Sequence, residues 1–124
     1  MGMRKSRMEH DLLGEKEIPE DCYYGVQTMR AVENFQISGI KLGSYPAMVK
    51  SLAYIKKAAA QANAALGLLP PELAQAVCEA CDNVISGKYD SQFVVDMVQG
   101  GAGTSSNMNA NEVIANLALE KLGY

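Results

Sequence analysis

One stretch limits what this chain can fold into more than any other: Gly100-Gly101-Ala102-Gly103-Thr104-Ser105-Ser106-Asn107-Met108-Asn109-Ala110-Asn111-Glu112. Glycines at 100, 101 and 103 leave the backbone free to turn, and the hydroxyl and amide residues after them belong at a helix start. Val113, Ile114, Leu117, Ala118 and Leu122 then recur at intervals of three and four, one apolar face of a helix. A Gly-rich loop therefore runs into a donor-rich helix N-terminus. The first N–H groups of such a helix have no intrahelical acceptor, and the peptide dipoles leave that end positive. With Thr104 and Ser105 adding hydroxyl donors, the terminus suits a carboxylate or phosphate. Simple capping by Thr, Ser and Asn explains the same residues, and on composition alone it ranks first.

Upstream, the pattern is also mostly helical. Met29, Val32 and Phe35 fall at helical spacing, which predicts a short helix from about Val26 to Asn34. A long helix is expected from Ser44-Tyr45-Pro46, with Ser44 as N-cap and Pro46 in the first turn. Val49, Leu52, Ala53, Ala59, Ala60 and Leu66 supply its apolar face, Lys50, Lys56 and Lys57 stay outside, and Gly67 ends it. After the Leu68-Leu69-Pro70-Pro71 linker, a third helix carries Leu73, Val77, Ala80 or Cys81, and Val84 as far as Ser86-Gly87. Lys88 to Gln92 is polar and turn-like. Phe93 to Val98 is apolar, either an extended segment or one buried helical turn. Near the N-terminus, residues 9–19 read as short extended pieces around Gly14, the second stopped by Pro19. Residues 1–10 read as a flexible end and 11–124 as one domain. The fold class is mainly α, with short extended segments near the N-terminus and three or four helices.

Several residues invite chemistry and have a plainer reading. His10, the one histidine, lacks a surrounding catalytic pattern and reads as a surface or turn residue. Tyr23 and Tyr24 suit half-buried positions with hydroxyls at the rim. Arg30 reads first as a solvated helix residue or a structural ion pair. Cys78-x-x-Cys81 has metal-site spacing, but it lies inside a helical pattern without a second Cys/His pair, so two small apolar helix residues are expected. Met1 to Ser6 fits a myristoylation pattern by letter and reads as a frayed end or leftover cloning residues. A net charge of −3 gives no electrostatic case for nucleic acid or anionic membrane. Three cysteines without a secretory signal point to a reducing cytoplasm.

The loop and helix from Gly100 to Asn116 resemble the first signature region of the aspartase/class II fumarase superfamily. So do Asp11-Leu12-Leu13-Gly14-Glu15, Tyr23-Tyr24-Gly25-Val26-Gln27-Thr28 and Arg30-Ala31-Val32-Glu33-Asn34-Phe35 with the N-terminal segment of those enzymes. The resemblance covers nearly everything after residue 8, in the same order and spacing. Gly-Ala-Gly-Thr-Ser-Ser-Asn and Tyr-Tyr-Gly-Val-Gln-Thr are nearer to aspartases, since fumarases carry Gly-Ser-Gly-Thr-Gln-Ser-Asn and a Trp in the earlier segment. The resemblance implies the N-terminal domain of a much longer homotetrameric enzyme, with the central helical and C-terminal domains absent. It implies reversible loss of ammonia from L-aspartate to give fumarate, substrate contact at Thr104, and weaker candidates at Ser105 and Asn107. It implies no organic cofactor, and no metal-ligand cluster is evident in the residues. The serine base of the family sits on a later loop, and family active sites draw on three subunits, so this segment alone is expected to be inactive and to hold no catalytic residue. A fumarase segment, or a free-standing helical interaction module, are the competing readings.

Overall fold

The computed structural model describes residues 5–124. It contains strands β1 (Ser6–Asp11) and β2 (Gly14–Pro19), then helices α1 (Val26–Asn34), α2 (Pro46–Ala65), α3 (Pro71–Ile85) and α4 (Thr104–Leu122). A short 3-10 turn at Leu42–Ser44 precedes α2, and another at Asp90–Gln92 lies between α3 and the Gly-rich loop. The mainly helical class, the short N-terminal extended pieces and the bounds of α1 follow the sequence reading.

β1 and β2 form an antiparallel hairpin, in register from Ser6 opposite Pro19 to Asp11 opposite Gly14. The reading of residues 1–10 as a flexible end needs correcting here, because residues 6–10 are paired strand; residues 1–4, including most of the myristoylation pattern, lie outside the described residues. The reason is chemical. The inward face of β1 is Arg7, Glu9 and Asp11, all charged, so no apolar alternation announces the strand. Arg7 donates to the carbonyls of Pro19, Glu20, Cys22 and Tyr24 and gathers the chain behind the hairpin. Asp11 takes a two-pronged contact from Arg30, with both nitrogen–oxygen distances at 2.9 Å. That guanidinium holds the Asp11 carboxyl below its ordinary range. Arg30 is thus the structural ion pair expected of it, and His10 lies exposed on β1.

α2 and α3 form a helical hairpin, and α4 packs on α3 and α1. Val49 and Ala53 of α2, Ala80, Cys81 and Val84 of α3, and Val113 and Ile114 of α4 meet in one core. Leu42, Phe93 and Val95 from the segments between the helices belong to the same core. The 93–98 segment takes the extended option: Leu42 and Gly43 donate to Val95 and Phe93 at 2.9 and 2.8 Å, and Met97 donates to Ile40 at 2.9 Å. A side chain at Gly43 would overlap the Asp90 carbonyl, so only glycine lets these segments close.

The start of α2 differs from expectation. Ser44 belongs to the preceding 3-10 turn, so Tyr45 is the N-cap, and it makes no side-chain cap bond. Pro46 does open the helix, and Gly67 follows its end at φ +73°. Of the apolar residues expected to face the core, Ala59, Leu66, Leu73 and Leu122 are exposed. Lys56 and Lys57 are half-buried, each with a polar partner, Asn107 and Asp82. Cys78 and Cys81 lie within α3 as free thiols, and among the described residues no cluster of His, Cys, Asp or Glu could hold a metal. Tyr23 packs edge-on against Tyr89 and donates its hydroxyl to Glu120, which pushes its pKa up to about 12.

Candidate active site

The Gly-rich loop delivers the chain to α4 through Gly103, the N-cap, at φ +78°. This left-handed conformation suits glycine, and Gly103 has no side chain with which to cap. Capping by Thr, Ser or Asn, ranked first from composition, is therefore not what the helix uses. Thr104 is the first helical residue and is exposed; Ser105 beside it is half-buried. Neither hydroxyl has a hydrogen-bond partner among the described residues. Asn107 is exposed, and its Oδ1 accepts from Lys56 Nζ of α2 at 2.5 Å, leaving its Nδ2 as a donor. Thr104, Ser105 and Asn107 thus stand together in the first turn of α4.

The cap is supplied from outside the helix by Gln99, which the sequence reading missed. Its Oε1 accepts the Ser106 N–H at 2.9 Å, and its Nε2 donates to Ser106 Oγ at 2.8 Å and to the Asp96 carbonyl at 3.3 Å. Asn107 N–H returns to the Gly103 carbonyl at 3.2 Å. No hydrogen bond from the N–H groups of Thr104 and Ser105 to an acceptor occurs among the described residues, so the first turn of α4 carries two backbone donors and two hydroxyls without partners there.

Asp96 anchors the segment behind this mouth. Its carboxylate accepts from the N–H groups of Ile37, Ser38, Gly39 and Val98 and from the Ser38 hydroxyl. The Val98 N–H and the Ser38–Gly39 donors hold its carboxyl down to about 2, against the opposing pull of burial.

α1 treats its N-terminus differently. Glu112 of α4 accepts from Gln27 N–H at 3.0 Å, Thr28 N–H at 2.7 Å and Thr28 Oγ1 at 2.5 Å, and Glu9 accepts from Val26 N–H at 3.2 Å. That anion site is filled by the protein's own carboxylates, whereas α4 has no acid in its first turn. Two clefts of about 500 and 260 Å³ lie elsewhere, beside Tyr45 and Met97 and beside Phe35 and Gly39, and neither is lined by Thr104, Ser105 or Asn107.

A hairpin-led helical domain with a Gly-rich loop opening its last helix defines the class: the chain belongs to the lyase family, whose model matches residues 14–123. Within it, the chain falls in the aspartase/class II fumarase superfamily. It is 61% identical over 118 residues to the aspartate ammonia-lyase of Helicobacter pylori, covering 95% of this chain and 25% of that protein. To the aspartate ammonia-lyase of Pseudomonas aeruginosa it is 60% identical over 119 residues, again covering 96% of this chain and 25% of the other. Among solved structures, a fumarate lyase:delta crystallin from Brucella melitensis superposes with a TM-score of 0.94 at 59% identity, over 96% of this chain and 28% of that one. A class II fumarase from Schistosoma mansoni superposes with a TM-score of 0.90 at 37% identity, over 95% and 25%. The chain thus spans about a quarter of the length of the curated relatives it matches. No helix among the described residues is long and apolar enough to cross a membrane.

Proposed function

We propose that this chain supplies the substrate-carboxylate loop of an aspartate ammonia-lyase, which reversibly converts L-aspartate to fumarate and ammonia. The observation that carries the reading is the identity to aspartate ammonia-lyases, 61% for the Helicobacter pylori enzyme, against 37% for the class II fumarase. In the forward reaction a base takes a proton from C3, and the C–H electron pair spreads into the neighbouring carboxylate as an enediolate. That pair then forms the C2=C3 bond while the C2–N bond breaks and ammonia leaves with its electrons. The slow feature of such chemistry is negative charge building on carboxylate oxygens, so catalysis needs donors fixed at those oxygens. The Thr104 hydroxyl, helped by Ser105, Asn107 Nδ2 and the first free N–H groups of α4, meets that need. The base lies in the three-quarters of the enzyme that this chain does not span. No organic cofactor enters the reaction. The parent works as a cytoplasmic homotetramer, and large apolar side chains left exposed here, such as Ile55, Leu66 and Leu68, support burial against the remainder of such an assembly.

The test is Thr104→Ala and Thr104→Ser in the parent enzyme, followed by fumarate absorbance and thermal melting. Loss of a hydrogen bond to a charged group is worth about 1.5–3 kcal/mol, so Thr104→Ala lowers kcat/KM roughly ten- to a hundredfold and Thr104→Ser retains most of it. Because Thr104 is exposed and Gly103 is the cap, the Tm stays near that of the parent. Turnover of Thr104→Ala like wild type would remove Thr104 from the site. A parent that adds water to fumarate but releases no ammonia from L-aspartate would replace the reading with a fumarase.

A further inference from the structure

We propose that Gln99 is a positioning residue of this site, one that fixes the first turn of α4 with a neutral amide so that its positive end stays available to the substrate carboxylate. The inference rests on the function proposed above. Three observations carry it. Gln99 grips the same residue twice, accepting the Ser106 N–H at 2.9 Å and donating to the Ser106 hydroxyl at 2.8 Å, and Ser106 is buried. The base of that grip is itself rigid, because Gln99 Nε2 also reaches the carbonyl of Asp96, whose carboxylate is held by backbone donors from residues 37–39 and 98. Third, the same domain shows what happens when a helix N-terminus is capped by acid: the N–H groups of Val26, Gln27 and Thr28 at the mouth of α1 are all taken by Glu9 and Glu112. A carboxylate in place of the Gln99 amide would still accept the Ser106 N–H, could accept from the Ser106 hydroxyl and would suit the helix dipole, but would lose the bond to the Asp96 carbonyl. It would also put a negative charge beside the place where the substrate carboxylate must sit. The neutral amide holds the turn without competing for it.

The experiment is Gln99→Glu in the parent enzyme, with Gln99→Ala and Thr104→Ala measured beside it, reading KM and kcat for L-aspartate at low and high salt together with Tm. Gln99→Glu, which loses the bond to the Asp96 carbonyl, is expected to lower Tm modestly while KM rises about tenfold or more at low ionic strength, with the rise shrinking as salt screens the added charge. Gln99→Ala, which leaves the Ser106 N–H uncapped, lowers both Tm and kcat/KM. A purely structural cap predicts the opposite for Gln99→Glu: full activity, with no salt-dependent KM. That result would overturn the proposal. Thr104→Ala separates the two readings. If it weakens turnover while Gln99→Glu behaves as wild type, only the positioning role fails. If Thr104→Ala is kinetically silent, the site itself is misplaced, and Gln99 with it.

Discussion

Replacing Glu112 tests how α4 is tied to α1, and so how the loop end of α4 is held in place. Its carboxylate accepts from Gln27 N–H, Thr28 N–H and Thr28 Oγ1. Thr28 is fully buried, so water cannot replace its lost acceptor. Glu112→Ala therefore removes a helix cap, worth about 1 kcal/mol, and leaves buried Thr28 donors unpaired, worth roughly 2 kcal/mol more. For a domain of this size each kcal/mol moves Tm by about 4 °C, so a drop on the order of 12 °C is expected by differential scanning calorimetry of the chain. Glu112→Gln keeps one oxygen but turns an NH2 toward the backbone donors, and should lose roughly half as much. Gly25 supplies an independent check. A Cβ at Gly25 would overlap the Glu112 carboxylate and come within 2.7 Å of Glu9 Oε1. Gly25→Ala should therefore destabilise on its own, and much less in the Glu112→Ala background, where the main obstacle is gone. Additive effects of the two changes, or a Tm for Glu112→Ala at or above that of the unmodified chain, would refute the account.

Other expectations follow from individual groups. The Asp96 carboxyl titrates at about 2 in the fold and near 3.9 when unfolded, so the stability it adds is complete above the unfolded value and is lost as pH falls through about 2. Asp96→Asn should lower Tm at neutral pH and flatten the acid limb of a Tm–pH curve between about pH 4 and 2; an acid limb identical to that of the parent would count against the backbone nest. Burial pushes the Cys81 thiol up to about 11, so alkylation at mildly alkaline pH should mark half-buried Cys78 first, and metal analysis of the purified chain should find no stoichiometric zinc; the reverse order of labelling would contradict the packing of α3. The 124-residue chain incubated with L-aspartate should release no fumarate above a buffer blank, and turnover in a preparation free of host enzyme would show that the base lies within it.

What could be read ahead of the structure was whatever leaves a local signal. The spacing of Met29, Val32 and Phe35 bounded α1, and Pro71 with Ser86-Gly87 bounded α3, because helix periodicity and Pro or Gly punctuation act over a few residues. Strand β1 left no such signal. Its inner face of Arg7, Glu9 and Asp11 pays no regard to hydrophobic alternation, since its partners are carbonyls, N–H groups and Arg30. The same limit applies to the candidate site. Thr104, Ser105 and Asn107 were visible as a hydroxyl-rich helix start and through a family resemblance. Gln99 was not, because a side-chain cap that reaches over a glycine turn to Ser106 follows from loop geometry and from no fixed sequence offset. Glu112 looked like an ordinary helix residue, and its partners Gln27 and Thr28 are 85 and 84 residues away.

Those long-range polar contacts also explain how a loop end can be placed accurately on an apolar core. The buried face of α4, Val113, Ile114, Leu117 and Ala118, gains from being covered but discriminates weakly between neighbouring registers, because hydrophobic burial has no direction. Hydrogen bonds have direction and a narrow range of length. On α4 several of them come from Asn109, Glu112 and Asn116, spaced by three and four and therefore on one stripe beside the apolar one. Asn109 donates to the Gln92 carbonyl at 3.0 Å and accepts from Val95 N–H at 3.4 Å; Asn116 donates to the Tyr23 carbonyl at 2.6 Å. With Glu112 on α1, these contacts tie α4 to three separate parts of the chain. Sliding α4 by one residue, about 1.5 Å along its axis, would break all of them while leaving much of its apolar face covered. The polar stripe, more than the core, sets where Thr104 stands.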